Sequence, residues 1–131
     1  MPQAKEPVFM HSEAEVAAKS PIAARFLESR GKGNASVDAA DNFLVKRFFN
    51  LDHNTYLDGA LPALTKELMG LAVSAALRCD DCIHYHIVQS YRLGAARAQQ
   101  EEALNVALVI GGSIVIPHLR RAYPLLDELY A

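Results

Sequence analysis

Two cysteines separated by two residues are the part of this sequence with the clearest capacity for chemistry. Cys79 and Cys82 are the only cysteines among the 131 residues. CxxC spacing lets the second thiol reach the first and close a disulfide, and the start of a helix stabilises a thiolate. A secreted domain stapled by disulfides would carry several cysteines spread along the chain, so this pair predicts redox chemistry or metal binding instead.

His86 and Glu67 are the candidate proton-transfer groups for this pair. If a helix starts at Cys79, a rotation of about 100° per residue puts Cys82 about 60° and His86 about 20° from Cys79, so the three share one face. Glu67 lies on a preceding predicted helix, and antiparallel packing would let it act with His86 as a proton relay. One thiolate would attack a peroxide oxygen or a partner's disulfide, and the other thiol would resolve the product.

Asp80 and Asp81 lie between the two cysteines. On the same helix they project away from the shared face, at about 100° and 200° from Cys79. Their charge opposes thiolate formation, because a negative charge nearby raises the pKa of a thiol.

Helical spacing of apolar residues extends through most of the chain, and no segment alternates in the manner of a strand, so we expect an all-α fold. Serine caps predict helix starts at Ser12 and Ser36. Pro21 predicts either a kink in the first helical run or its division into two short helices, and glycines at 31–34 predict a break. We therefore divide the chain into an N-terminal helical arm, residues 1–35, and a main helical domain, residues 36–131. The predicted helices of the main domain are 36–49, 63–78, 80–93, 98–111 and about 113–130, with a polar connection at 50–59.

Charge and hydropathy limit the partners of the protein. Thirteen basic and 15 acidic residues give a net charge of −2, which argues against nucleic-acid binding. The most apolar stretch, 103–117, is shorter than the ~20 residues of a membrane-spanning helix, and the N-terminus has no signal-peptide pattern. We therefore expect a cytoplasmic protein without a membrane partner. Residues 103–116 are apolar on nearly every side, which predicts burial, in part against other copies of the chain.

The chemistry-bearing residues, taken with their surroundings, resemble the alkylhydroperoxidase D and carboxymuconolactone decarboxylase family. The order of a glutamate, eleven residues, a CxxC pair, three residues and a histidine carries most of the specificity. The similarity extends over roughly residues 43–123. The matching segments are Glu67, 72–78, Cys79-Asp80-Asp81-Cys82-Ile83, His86, 94–95, 102–104 and 111–112.

This resemblance implies an all-α helical bundle of the alkylhydroperoxidase D-like type that assembles as a dimer, trimer or hexamer. It implies an antioxidant thiol-dependent peroxidase that uses a hydroperoxide substrate and a dihydrolipoyl or thioredoxin-like electron donor, without a cofactor. By position, Cys82 is the attacking thiol, Cys79 is the resolving thiol, and Glu67 and His86 form the proton relay. The chain departs from alkylhydroperoxidase D at Asp81, where that enzyme has a histidine. The decarboxylase branch generally lacks the CxxC pair.

Three other interpretations are compatible with the same residues. Cys79, Cys82, His86 and Glu67 could supply four zinc ligands, with His84 as a spare. The cysteines could instead be buried thiols in a structural oligomer. The protein could also be a redox sensor, which forms the disulfide without substantial turnover.

Overall fold

A computed structural model describes residues 4–131, and its regular structure within that range is helical. The helices are α1 Glu13–Lys19, α2 Pro21–Ala39, α3 Phe43–Thr55, α4 Ala63–Ala76, α5 Asp80–Arg92, α6 Arg97–Gly111 and α7 Ile116–Leu129, with a 3₁₀ turn at Ser113–Val115. Extended pairing in the described residues is limited to an isolated bridge between Lys5 and Asp58. The predicted all-α fold is therefore confirmed. No helix in this range has the length and apolarity needed to cross a bilayer.

The core is built around α4, which packs along both α5 and α6, while α5 also packs on α7. Burial of each large apolar side chain contributes about 1.5–3 kcal/mol, so these contacts hold the helix pair that carries the candidate site. The largest fully buried apolar side chains are Leu71, Ile83, Ile87, Leu104, Leu125, Leu126 and Leu129.

The first two helices are separate, which is one of the two arrangements predicted at Pro21. Ser12 caps α1 through Glu15, and Ser20 caps α2 through Ala23. The Ser20 hydroxyl also donates to Glu128 Oε1 at 2.7 Å, and the Ile22 N–H donates to the same oxygen at 2.9 Å. These bonds fasten the junction of α1 and α2 to the end of α7.

The predicted glycine break at 31–34 is wrong, because α2 continues without interruption to Ala39. Neither Gly31 nor Gly33 has a positive φ angle. An ion pair between Glu28 and Lys32 at 3.0 Å supports the same helix turn. The boundary drawn at residue 35 therefore falls inside a helix, and the division into an arm and a main domain stays a prediction.

The next helix begins and ends later than predicted. The break lies at Asp41, whose φ is 52°, and Asn42 caps α3. The predicted connection at 50–59 is helical as far as Thr55. The Asn54 and Thr55 side chains donate to the backbone carbonyls of Asn50 and Leu51, one turn earlier in the same helix. None of the residues of α3 is buried.

Helix α6 is not buried on every side within a single chain. Leu104 and Ala107 are buried, whereas Val109 and Ile110 are 86% and 75% exposed. The glycine pair at the C-terminal end of α6 stops the helix and allows a close side-chain contact. The helix ends at Gly111, Gly112 has a φ of 79°, and a β-carbon at Gly111 would lie 2.5 Å from Val115 Cγ2.

The contact of Glu128 with α2 predicts a pH-dependent contribution to stability. Hydrogen bonds from the Ile22 N–H and the Ser20 hydroxyl lower the pKa of Glu128 below its ordinary value of 4.5. This stabilisation is therefore fully present above about pH 4.5 and is lost as the pH falls through the lowered pKa. We expect Glu128→Gln to lower the Tm at pH 7 by a few degrees, and this deficit should shrink as the pH falls below about 4.5. Thermal melts at a series of pH values from 7 downward test it, with Glu102→Gln as the control. A deficit that stays constant over the whole series would contradict it.

Candidate functional site

The two cysteines form a disulfide at the start of α5. Cys79 is the N-cap of this helix, and its Sγ accepts the Cys82 N–H at 3.3 Å. The Cα atoms of the pair are 5.3 Å apart. Cys82 is exposed and Cys79 is partly buried. A nucleophile or electron donor can therefore approach Cys82 from solvent, and the helix start favours a thiolate after reduction.

Glu67 and His86 form a buried hydrogen-bonded pair between α4 and α5. The distance from Glu67 Oε2 to His86 Nδ1 is 2.6 Å, and the two residues are only 3% and 8% exposed. A charge-assisted bond of this kind in a dry environment is stronger than one at the surface. Such a pair can hold a proton and can move it from one ring nitrogen toward a reacting group.

The structure places the four candidate residues in two pairs, and helix α5 connects the pairs. His86 follows Cys82 by four residues on α5, a rise of about 6 Å. No hydrogen bond in residues 4–131 joins Glu67 or His86 to either sulfur in this disulfide form. A proton moving between the pairs would therefore pass through a bound substrate or a water molecule.

Each member of the Glu67–His86 pair lines a different cavity. A cavity of about 390 Å³ is lined by Glu67 and Tyr85, and another of about 490 Å³ is lined by His86 and Gly70. Tyr56 lines both of them. Neither cavity is lined by a cysteine, so the disulfide lies outside both.

Two tyrosine rings enclose His86. The ring centroids of Tyr56 and Tyr85 are 5.6 Å and 5.2 Å from that of the imidazole. Burial, followed by the charge of Glu67, raises the pKa of Tyr85 to about 12 and also raises the pKa of Tyr56. Both phenols therefore stay protonated at neutral pH. They lie beside the Glu67–His86 pair without adding a charge.

Asp80 contacts two side chains of α7. Its carboxylate oxygens lie 2.7 Å from His118 Nδ1 and 3.0 Å from Arg121 Nη1. This arrangement offsets the negative charge that the sequence places next to Cys79. Asp81 is exposed.

The alternative zinc ligands are not clustered in this disulfide form. Within residues 4–131, no group of three or more His, Cys, Asp or Glu side chains could hold a metal ion. His84, the proposed spare ligand, lies with its Nε2 3.3 Å from the Arg121 carbonyl.

Sequence patterns did not reveal Tyr56, Gly70 or the contact of His118 and Arg121 with Asp80. Tyr56 is the C-cap of a helix whose boundary was misplaced. Gly70 occupies an ordinary helical position. The one signal in the sequence that could have indicated its role was a lone glycine inside a predicted helix. The Asp80 contacts join residues 38 and 41 positions apart, which no local spacing indicates.

Comparison with known sequences identifies one matching family. The model of the carboxymuconolactone decarboxylase family matches residues 44–123. An uncharacterized protein encoded in the cox locus of Paracoccus denitrificans is 32% identical over 109 residues, which cover 83% of this chain and 92% of that protein. An uncharacterized protein of Cupriavidus necator is 36% identical over 74 residues, 56% of this chain and 66% of that protein.

Solved structures with the same fold include proteins from Thermotoga maritima and Legionella pneumophila. Two crystal structures of a Thermotoga maritima protein share 53% sequence identity with this chain, cover 81% of it and have TM-scores of 0.78 and 0.77. They cover 93% and 90% of the respective solved chains. One of them is described as a carboxymuconolactone decarboxylase family protein with a suggested involvement in antioxidative response. A family member from Legionella pneumophila is 28% identical, with a TM-score of 0.69 and coverage of 82% of this chain and 93% of that one.

The contacts of Asp80 predict how fast the reduced cysteines react. Arg121→Gln removes one cation from the Asp80 carboxylate, so the uncompensated charge beside Cys79 disfavours its thiolate. We expect alkylation of Cys79 by iodoacetamide at pH 7 to slow by roughly two- to five-fold, the size of a partly exposed charge effect. Peptide mass spectrometry after timed alkylation measures it, and the neighbouring Arg120→Gln is the control. Equal slowing in both variants would show that Asp80 does not control the alkylation rate of Cys79.

Proposed function

The chain belongs to the carboxymuconolactone decarboxylase family, and we propose that it is a thiol-dependent peroxidase of the alkylhydroperoxidase D kind. The observation that carries this proposal is a CxxC disulfide at the start of α5, one helical turn from the buried Glu67–His86 pair. The suggested antioxidative involvement of the Thermotoga maritima relative agrees with it. A cytoplasmic location would also suit the cycle, because reducing systems there return a CxxC pair to its thiol form.

In the proposed reaction, the Cys82 thiolate attacks one oxygen of a hydroperoxide and the O–O bond breaks. Cys82 becomes a sulfenic acid, and the departing alkoxide takes a proton that the Glu67–His86 pair supplies. The exposure of Cys82 supports its role as the attacking thiol. Proton transfer by a positioned group contributes about 10²–10⁴-fold to such a step.

Cys79 then resolves the sulfenic acid. Its sulfur bonds to that of Cys82, and the hydroxyl leaves as water once it receives a proton. The Cα separation of 5.3 Å allows this bond without backbone movement. A dithiol donor, dihydrolipoyl or thioredoxin-like, returns the disulfide to two thiols and is itself oxidised. The sum is one hydroperoxide and one dithiol converted to an alcohol, water and a disulfide.

Disulfide formation without substantial turnover, as in a redox sensor, is the second candidate function. It is favoured by the position of Cys82 outside both cavities, where a protein partner can reach the sulfur. Such a redox sensor would be oxidised once by peroxide and would not be returned to its thiol form at a useful rate by a dithiol donor.

We also propose that copies of the chain assemble, because several helices expose apolar side chains. Soluble monomers rarely expose large contiguous apolar patches. The large exposed apolar residues of α3, of α4 with its C-cap and of α6 are Phe43, Leu44, Phe48, Phe49, Leu51, Met69, Val73, Leu77, Val106, Val109 and Ile110. Light scattering at micromolar concentration should give a dimer, trimer or hexamer of the 14.3 kDa chain. A mass of one chain would refute the assembly without affecting the proposed chemistry.

Hydroperoxide consumption with a dithiol donor tests the proposed activity. We expect Cys82→Ser to abolish turnover, because no attacking thiol remains, and Cys79→Ser to accumulate a sulfenic acid at Cys82. Mass spectrometry after dimedone trapping locates that acid, and the absence of other cysteines makes the assignment unambiguous. Equal consumption by the parent protein and both variants would exclude the peroxidase proposal. A single oxidation of the parent without turnover would identify the sensor.

A further inference from the structure

The imidazole of His86 lies against α4 at Gly70, in the space where a side chain would begin. A β-carbon built at Gly70 would fall 2.6 Å from His86 Cε1 and 2.8 Å from each ring nitrogen. Non-bonded carbon atoms attract one another at about 3.5–4.0 Å, so any side chain at this position would collide with the ring. His86 can therefore occupy its observed position only because Gly70 has no β-carbon.

Gly70 and Glu67 together define that position. They are three residues apart on α4, so they lie one turn apart on the same helix face. Glu67 Oε2 contacts the ring at Nδ1, while the ring rests on the backbone at Gly70. His86 Nε2 has no hydrogen bond within residues 4–131, and both His86 and Gly70 line the 490 Å³ cavity. The glycine thus lets the ring lie close enough to α4 for one nitrogen to meet the carboxylate.

We propose that Gly70 is a positioning residue for the proton-transfer pair. It allows His86 to bond Glu67 through Nδ1 and leaves Nε2 available at the second cavity. The consequence for peroxide turnover rests on the proposed function, whereas the steric relation between Gly70 and His86 does not. Any residue larger than glycine displaces the ring, which lengthens or breaks the bond to Glu67.

Helix propensity makes this proposal testable by the sign of a stability change. In a helix interior alanine is more favourable than glycine wherever the added methyl group has room. We expect Gly70→Ala to lower the Tm of the parent protein, because the methyl group meets the imidazole. In a His86→Ala background the obstacle is gone, and Gly70→Ala should raise the Tm. Gly33→Ala in α2 is the matched control, since nothing lies within 4 Å of its β-carbon, and it should not lower the Tm in either background.

Spectroscopy of His86 follows its position directly. Long-range ¹H–¹⁵N spectra report which ring nitrogen carries the proton and how the ring titrates with pH. Gly70→Ala should change the protonated ring nitrogen and the pH titration of His86. Gly33→Ala should leave these two properties unchanged. If the Tm change is the same with and without His86, or if the His86 spectrum is unaffected, the proposal is wrong.

Turnover measurements then test the positioning role. A displacement of about 1 Å in a catalytic group can cost on the order of 10²-fold in rate. We expect a loss of that size for Gly70→Ala in the parent and little further loss in a Glu67→Gln background, because the pair is already broken there. Equal losses in both backgrounds would overturn the positioning role. If the parent consumes no hydroperoxide, the proposed function fails, and the Tm and spectroscopic results still decide the role of Gly70.

Discussion

The hydrogen bond between Glu67 and His86 is the contact on which the arrangement of this site depends. A carboxylate and an imidazole buried between two helices lose their hydration, and each needs the other as a polar partner. Their 2.6 Å separation therefore restricts how α4 and α5 can pack. Apolar packing alone would tolerate small shifts between the helices, but this bond tolerates very little.

Helix α5 transmits that restriction to the sulfur atoms. Cys79 caps the helix, Cys82 follows in its first turn, and His86 lies one turn further along, so the disulfide and the imidazole move as one rigid unit. Asp80, held by two side chains of α7, fixes the same end of α5 to a third helix. Groups placed on packed helices keep their geometry better than groups placed on loops. The glycine in α4 lets the two helices share the imidazole between them.

Local features of this fold could be predicted from sequence, and long-range ones could not. The helix start at Cys79 and the shared face with His86 follow from spacing within a single helix. The pairing of Glu67 with His86 required family resemblance and a guess at antiparallel packing. Tyr56 and Gly70 contact the pair from elements whose register no local pattern specifies. The boundaries of α2 and α3 were misplaced because glycines and polar residues, which often end helices, are accommodated inside these two helices. Residues 103–116 are apolar on nearly every side, but the sequence alone could not show which side is covered within one chain.

The rate of disulfide formation as a function of pH is the most direct test of proton transfer by the buried pair. Reduced protein would be mixed with a hydroperoxide, quenched with acid at short times and analysed by mass spectrometry between pH 5 and pH 9. Asp52→Asn removes a carboxylate from the same cavity that Glu67 lines, so it controls for a general change of charge. The account requires Glu67→Gln to slow the reaction on the order of 10²-fold and to alter its pH profile, while Asp52→Asn does neither. A Glu67→Gln protein with the rate and pH profile of its parent would show that the pair is structural and does not move the proton.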